Sequence, residues 1–397
     1  MEQDRVQQMA KATMQTTTHP TSRLFFLDHL RAALVTLVVL HHVALVYSGA
    51  APFYYVEPPL TDPLAYLVLL TFVLFNQGWF MGALFLIAGY FTPGSFERKG
   101  AGSFLKGRLI RLGIPLLAFF FVLAPLSAIG YWQMPASLTG ITSPLTWEAY
   151  PRLLGMGPLW FVAMLLIFDF GYAAWRMLTK NRTSVTMSKS ALPRYRSIGI
   201  FILALALVSY LVRIVIPMGK EVLDFPTLSY LPQYLSFFVL GTVAYRRNWL
   251  QAVPRSLGVV GLVTAIVAGV VLFPLALSGR LFSLEVNAAA GFVGNGTWQS
   301  AVYALWDASF AVGLCLAALT FFRGLFNGEN RFGRFLSQQS YAVYVIHAPI
   351  VVWIAIALKE VQLAPLLKFG IVAVITVPIC FVAAFVIRKI PFLSRVL

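Results

Sequence analysis

Long apolar stretches alternate with short polar ones along nearly the whole chain. Each stretch is close to the ~20 residues that a helix needs to cross the hydrocarbon core of a bilayer. We therefore predict an all-α fold: a polytopic membrane helix bundle of about ten transmembrane helices. The predicted spans are residues 24–49, 64–90, 110–131, 158–178, 197–217, 230–246, 256–277, 298–322, 336–358 and 365–387.

The composition agrees with this pattern. Hydrophobic residues make up 59% of the 397 residues and charged residues only 11%, with a mean hydropathy of +0.80. Soluble domains average about 25% charged residues. The first 22 residues are polar and hold no apolar run, so we expect no cleavable signal peptide. The pattern indicates a multi-pass protein of the cell membrane, the inner membrane if the source is bacterial.

The net charge of +16 would favour a nucleic-acid partner in a soluble chain, but its distribution favours a different explanation. If the N-terminus is cytoplasmic, 24 of the 30 Lys and Arg residues fall in cytoplasmic segments. Such a bias orients membrane spans, so we predict that both termini are cytoplasmic and expect no nucleic acid. The predicted domains are a polar N-terminal tail (1–22), a membrane domain (23–388) and a short basic C-terminal tail (389–397).

The first span carries ionisable side chains in a stretch that otherwise suits lipid. His42 lies eleven residues after Arg31, within about 20° of the same helix face and ~16 Å deeper. Asp28 shares that face, whereas His41 points about 80° away. Ionisable groups in a span usually face the bundle interior and mark function. The alternative is an ion pair at the helix end, Asp28 with Arg31, and histidines that only pack in the core.

Other polar groups recur in later spans. Ser340, Tyr344 and His347 share one helix face, and His347 lies near the predicted depth of His42, where the two could line one cavity; a structural histidine is the alternative. Further ionisable residues lie within or near the outer halves of the spans: Asp169, Arg213, Glu285 and Asp307. Arg213 and Asp307 could pair for stability, and acceptor binding is the alternative for this group. Both cysteines, Cys315 and Cys380, fall in apolar runs, and no ligand spacing indicates a metal site.

Five short stretches resemble, in order, the motifs of the acyltransferase-3 family of integral-membrane proteins. The first span fits the family signature of an arginine, ten residues and a histidine, through Arg31 and His42. Ala88 stands where the family commonly has a serine. The likeness covers residues 23 to 388, and the stretches are LDHLRAALVTLVVLHH (27–42), GALFLIAGYF (82–91), FLKGRLIRLGIPLL (104–117), GPLWFVAMLL (157–166) and LSQQSYAVYVIHAPI (336–350).

This resemblance implies transfer of an acyl group, such as acetyl or succinyl, from cytoplasmic acyl-coenzyme A to a hydroxyl. The acceptor would be a glycan or a lipid-linked envelope molecule, and membrane lipids are the other partners. Acyl-coenzyme A is a donor substrate, so no permanently bound cofactor is expected. His42 would be the general base, since histidine suits that role near neutral pH, or would carry the acyl group itself. The remaining catalytic candidates are Asp28, Arg31 and His347.

Arg108 and Arg111 are the candidates for binding the donor. They lie three residues apart at the cytoplasmic end of the third span, and arginine binds phosphate oxygens bidentately. Alone, the pair fits an ordinary positive-inside anchor or a lipid headgroup contact; the family resemblance favours the donor site. Candidates for binding the acceptor are Tyr344, Ser340 and Trp160, although Trp160 also fits the aromatic belt at the membrane interface.

Two other classes of protein fit parts of the pattern. A secondary transporter or lipid flippase would also place Asp, His and Arg within spans, but related halves or paired broken helices are then expected, and the sequence shows neither. A purely structural membrane subunit would not need charged residues aligned with His42.

Overall fold

The computed structural model describes residues 23–49, 51, 53–57, 62–179, 192–277 and 291–397. The predicted tail 1–22 and Glu285 lie outside these ranges. Within them the chain is a bundle of helices joined by loops, with one isolated β-bridge, Val222 to Phe225. Its longer helices are α1 Phe25–Ser48, α2 Pro63–Gln77, α3 Phe80–Arg108, α4 Trp160–Leu178, α5 Tyr195–Val215, α6 Leu231–Arg247, α7 Arg255–Val267, α8 Trp298–Leu325, α9 Arg331–Ala357 and α10 Pro365–Ile387.

The all-α membrane bundle is confirmed. Eight helical segments among the described residues are long and apolar enough to cross a membrane. One of them, Pro63–Gln133, contains two of the predicted spans, and α6, with 17 residues, is not among the eight. The count of ten and the cytoplasmic location of both termini therefore remain predictions.

The predicted span 64–90 is not a single helix. A turn at Gly78 and Trp79 separates α2 from α3. A break in a helix within a membrane leaves backbone N–H and C=O groups without hydrogen bonds inside the helix, so neighbouring helices must supply the partners. Here the side-chain amide of Gln233, on α6, donates a hydrogen bond of 2.7 Å to the Gly78 carbonyl. α3 then continues to Arg108, well beyond the predicted end, and bends at Gly100, where φ is +73°.

Helix α1 lies at the centre of the bundle and packs against α9, α2, α10 and α8. This position explains why most of its side chains are buried. On one side, α3 and α6 cross so closely that a Cβ at Gly89 would collide with the backbone of Phe238, and one at Gly241 with the backbone of Leu86. Lipid tails are as apolar as the side chains, so hydrophobicity does not drive helices together in a membrane and close packing has to. Small residues at the interface permit this close approach of the backbones.

The third predicted span is an irregular helical segment, 109–133. Its α-helical parts, Ile114–Ala118 and Ala124–Ala128, alternate with π-helical turns, Leu109–Gly113 and Phe119–Leu123, and it ends in the 3₁₀ turn Ile129–Gln133. A similar π-helical turn, Ala268–Leu272, joins α7 to Phe273–Leu277. Such turns change which residues share a face and are frequent near functional sites. The remaining short α-helices are Ala136–Thr139, Tyr150–Leu153, Trp249–Ala252 and Pro391–Val396, and the remaining 3₁₀ turns are Trp147–Ala149, Gly157–Leu159 and Leu228–Tyr230.

Candidate active site at the His42 cavity

The two histidines that the sequence predicts at one depth are in contact. Nδ1 of His42, on α1, lies 3.2 Å from Nε2 of His347, on α9, and their ring centroids are 4.8 Å apart. Nδ1 of His42 also lies 2.8 Å from the Val38 carbonyl, and Nδ1 of His347 lies 2.7 Å from the Tyr344 carbonyl. Each imidazole is thus fixed by the backbone of its own helix.

These contacts assign the protons of the neutral rings. A backbone carbonyl only accepts hydrogen bonds, so the ring nitrogen facing it carries the hydrogen. Nδ1 of His42 is therefore a donor, shared between Val38 and the lone pair on Nε2 of His347. Nε2 of His42 keeps its own lone pair, and no described residue donates a hydrogen bond to it. This is the tautomer that a base acting through Nε2 needs.

His42 lies at a cavity of about 900 Å³. This volume is near the upper end of the range for small-molecule sites in proteins. The cavity is lined by the second half of α1 and the loop that follows it, by α2, by the start of α4 and by the loop before α6. In the predicted topology both loops lie outside, which would place the cavity in the outer half of the bundle. Its lining includes Val38, His41, His42, Phe53, Tyr54, Gln77, Tyr131, Arg152, Pro158, Trp160, Glu221, Asp224, Tyr230 and Tyr344.

The candidates for acceptor binding separate into two groups. Tyr344 and Trp160 line the cavity. The Tyr344 hydroxyl donates to the Pro158 carbonyl, and the Trp160 ring stacks on Tyr234 with centroids 5.3 Å apart, so both are firmly positioned. Ser340 is not among the lining residues: its hydroxyl is buried and donates to the Leu336 carbonyl at 2.9 Å. His347 also lies behind His42 rather than at the cavity surface.

His41 lies at the cavity as well, although helical geometry turns it away from the face of Arg31. Its ring packs between His42 and Phe80, with centroids 5.4 Å and 5.1 Å away. The side chain lines the cavity, and its Nδ1 is buried with no hydrogen-bond partner among the described residues. A cavity that wraps around the end of α1 reaches both neighbouring histidines.

Asp28 and Arg31 form the ion pair that the sequence offered as an alternative. The Arg31 guanidinium lies 3.1 Å from the Asp28 carboxylate, which also binds Arg23 at 2.8 Å. Arg31 further donates to the Ser337 carbonyl of α9 at 3.4 Å, and its side chain remains 37% exposed. Asp28 therefore positions Arg31 at the start of α1, about two helical turns or more below the cavity.

Arg108 and Arg111 have different surroundings. Arg108 forms an ion pair of 3.0 Å with the fully buried Asp169, and Thr92 hydrogen-bonds to both partners. Arg111 lies in the π-helical turn, is exposed, and makes no ion pair among the described residues. The Tyr341 hydroxyl donates to the Arg111 carbonyl at 2.7 Å, and Arg31 and Arg111 are close enough to repel each other. The predicted inner end of the bundle thus gathers positive charge beneath His42.

The predicted pairing of Arg213 with Asp307 is confirmed. Their side chains are 2.8 Å apart and almost completely buried, with 0% and 2% exposure. The Arg213 guanidinium lies over the rings of Tyr230 and Tyr303, at 4.6 Å and 5.3 Å. Tyr230 lines the cavity, so this buried ion pair supports the wall of the site from behind.

Sequence reasoning missed the outer part of the cavity. Tyr54 and Tyr131 have ring centroids 6.0 Å apart, and the acidic residues Glu221 and Asp224 lie in electrostatic range of Tyr54. Burial and the neighbouring Asp224 carboxylate raise the pKa of Glu221. Tyr54, Glu221 and Asp224 belong to loops and Tyr131 to the 3₁₀ turn Ile129–Gln133, where no hydrophobic periodicity or motif spacing places them near α1. The sequence contained one signal for this part of the site: the chain has only 14 acidic residues, and two of them fall in one short predicted outer loop.

Comparison with known proteins identifies the class of this bundle. The sequence model of a family described as an acyltransferase domain matches residues 24–385, nearly the whole chain. Similar proteins include "Glucans biosynthesis protein C" of Shigella dysenteriae serotype 1 (strain Sd197), 26% identical over 252 residues, and of Escherichia coli O157:H7, 26% identical over 248 residues. The protein of that name in Salmonella dublin is 28% identical over 243 residues.

These matches with individual proteins are partial. Each covers 59% of this chain and 61% of the relative, so the chain spans about three-fifths of the length of the curated relatives it matches. The family match, in contrast, includes α1 with Arg31 and His42, the arginine pair, and α9 with His347. The chain belongs to the acyltransferase-3 family and is a multi-pass membrane protein.

Proposed function

We propose that the protein transfers an acyl group from acyl-coenzyme A to a hydroxyl of an envelope glycan, with His42 as the general base. The family match supports the acyl transfer, and the name of the similar proteins, glucans biosynthesis protein C, supports a glycan as acceptor. The observation that carries the role of His42 is its geometry. Its Nδ1–H is held by Val38 and His347, while Nε2 is left with a lone pair at a cavity of about 900 Å³.

The reaction would proceed as follows. Nε2 of His42 removes the proton of the acceptor hydroxyl, and the hydroxyl oxygen attacks the thioester carbonyl. A C–O bond forms, the C–S bond breaks, and the thiolate of coenzyme A receives the proton from His42. A positioned base of this kind contributes roughly 10²- to 10⁴-fold to a rate. The imidazolium formed on the way is stabilised by the Val38 carbonyl and the Nε2 lone pair of His347.

The donor would enter from the opposite end of the bundle. Its phosphates would bind near Arg31 and Arg111, which are partly or fully exposed at the start of α1 and in segment 109–133. The thioester would then reach His42, which lies ~16 Å along α1 from Arg31. Arg108 is already paired with Asp169, so it would contribute through its remaining guanidinium nitrogens and by adding to the positive charge.

Purified protein in lipid nanodiscs tests this proposal. We expect labelled acetyl- or succinyl-coenzyme A to yield labelled glucose oligosaccharide and free coenzyme A thiol. His42→Ala should reduce turnover by 10²-fold or more, whereas His41→Gln, the adjacent histidine, should retain turnover at saturating acceptor. Label retained on the protein would indicate the acyl-histidine route instead. Equal turnover by His42→Ala and the unmodified protein would overturn the proposal, as would uptake of the donor without transfer.

A further inference from the structure

The outer half of the His42 cavity carries an acidic pair. Among the described residues that line the cavity, the charged ones apart from the histidines are Arg152, Glu221 and Asp224. The two acids come from a single loop between α5 and α6. A site for phosphate-bearing molecules is normally lined by arginine and lysine. With two acids against one arginine, this end of the cavity carries a net negative charge, unlike the arginine-rich inner end of the bundle.

The loop holds Asp224 in a defined position. Leu223 and Asp224 both have a left-handed backbone, with φ of +53° and +62°, a conformation that leucine rarely adopts. The bridge between Val222 and Phe225 closes this turn. The Asp224 carboxylate also accepts a hydrogen bond from the backbone N–H of Met156, in the loop before α4. A loop anchored in this way presents its carboxylates without having to reorganise.

A series of aromatic rings leads from His42 towards the acidic pair. The ring of Phe53 lies 5.0 Å from that of His42, Tyr54 lies 5.4 Å from Phe53, and Tyr131 lies 6.0 Å from Tyr54. Tyr54 is in turn within electrostatic range of Glu221 and Asp224. Aromatic rings offer apolar faces, and tyrosine adds a hydroxyl at its edge. Such a wall suits a ligand that has both C–H faces and hydroxyl groups.

A second, independent feature also indicates a polar ligand. His41 lines the cavity with a side chain that is 7% exposed, and its Nδ1 has no hydrogen-bond partner among the described residues. A buried polar nitrogen without a partner is unfavourable, and most such atoms in proteins are satisfied. A turn of the imidazole would bring this nitrogen to the cavity, where a ligand hydroxyl would supply the missing partner beside His42.

We propose that this cavity selects an uncharged, hydroxyl-rich acceptor, and that Glu221 and Asp224 act as its specificity-determining residues. Their carboxylates accept hydrogen bonds from acceptor hydroxyls, and charge-assisted bonds of this kind are stronger than neutral ones. The same carboxylates repel an acceptor that carries phosphate, because juxtaposed like charges are costly at a binding site. This inference rests on the proposed function, and it favours a neutral sugar chain over a pyrophosphate-linked lipid intermediate.

The test compares two acceptors with the full-length protein in nanodiscs. One is a neutral linear glucose tetrasaccharide, and the other is the same tetrasaccharide with a phosphate monoester on its terminal sugar. We expect kcat/KM to favour the neutral acceptor. In Glu221→Gln/Asp224→Asn that preference should fall about tenfold, mainly because KM for the neutral acceptor rises. Asparagine at position 224 can keep the left-handed backbone and the bond to Met156.

Controls separate the possible outcomes. Glu148→Gln removes an exposed acid elsewhere in the predicted outer loops, and it should leave the preference unchanged. Glu221 is exposed, so Glu221→Gln alone should fold normally, and it provides the measurement if the double variant misfolds. Glycerol, a small hydroxyl acceptor that does not extend to the acidic pair and does not react with thioesters unaided, reports transfer chemistry by itself. An unchanged preference in the folded variants, or a preference for the phosphorylated acceptor, would overturn this inference alone. No transfer to any acceptor, glycerol included, would overturn the proposed function and this inference together.

Discussion

Nε2 of His347 lies 3.2 Å from Nδ1 of His42, although the two residues are 305 positions apart in the chain. The contact joins the first and ninth of the longer helices at the centre of the bundle. His347 is fully buried, whereas His42 reaches the cavity. This arrangement suits the proposed roles, in which His42 meets the substrate and His347 orients His42.

The first prediction concerns this positioning role. His347→Ala removes one of the two acceptors of the His42 Nδ1–H and leaves the Val38 carbonyl; a hydrogen bond of this kind contributes about 0.5–1.5 kcal/mol. We expect kcat to fall roughly tenfold, with little change in KM for either substrate, since His347 does not line the cavity. His347→Gln, whose amide oxygen can accept the same bond, should recover part of the loss. Steady-state kinetics on both substrates would measure this.

Thr36→Val is a matched control for that experiment. Thr36 lies in α1, and among the described residues its hydroxyl bonds only to the Ala32 carbonyl of the same helix, so kinetics should be unchanged. A large rise in KM with unchanged kcat in His347→Ala would contradict the positioning role and indicate direct substrate contact instead.

The second prediction separates the two arginines of the proposed donor site. Arg111 is exposed and free of ion pairs among the described residues, so Arg111→Ala should raise KM for acyl-coenzyme A about 10- to 150-fold without lowering thermal stability. Arg108→Ala should also lower the melting temperature, because it leaves the buried Asp169 without its cation. Donor kinetics and thermal unfolding in detergent distinguish the two effects.

Lysine substitution decides between donor binding and an anchoring role for Arg111. Arg111→Lys keeps the charge but loses the bidentate geometry, so a phosphate site should be rescued poorly. Equal donor KM values for arginine, lysine and alanine at position 111 would leave only the positive-inside explanation.

The third prediction concerns the buried ion pair behind the cavity. Asp307→Asn removes the charge that compensates Arg213, and breaking a buried pair in this way costs about 3–5 kcal/mol. Arg213→Met combined with Asp307→Leu removes both charges and should be clearly less destabilised than Asp307→Asn. Thermal unfolding of the purified variants would give this order. A double variant at least as unstable as the single one would show that the pair itself, rather than charge compensation, stabilises the bundle.

The fourth prediction concerns topology, which rests on the distribution of Lys and Arg. Reporter fusions after Arg247, Arg331 and Leu397 should be cytoplasmic, and fusions near Gly140 and Lys220 should be external. A cytoplasmic signal at both of the latter would place the cavity, with its loops from 51–57 and 218–230, on the other side of the membrane. The proposed direction of transfer would then be wrong.

The sequence by itself determined the helical membrane class and the residues of the first span. Apolar stretches of bilayer length require helices, and the geometry of a single helix relates Arg31 to His42 without any knowledge of its neighbours. Family motifs added the arginines and His347. All of these are local or periodic properties, which is why they could be derived in advance. The pairing of Arg213 with Asp307 could be predicted for a similar reason, because ionisable residues within membrane spans usually pair with a residue of opposite charge.

Only the tertiary structure decided which polar groups meet. Arg111 lies within the π-helical turn Leu109–Gly113, whereas Arg108 lies just before it. Arg108 forms an ion pair with Asp169 on α4. His41, off the face of Arg31, still reaches the cavity because loops wrap around the end of α1. Glu221 and Asp224 lie in a loop whose position depends on the hydrogen bond that the Met156 N–H donates to Asp224. Helix packing and loop closure join residues distant in sequence, and hydrophobic periodicity contains no information about those partners.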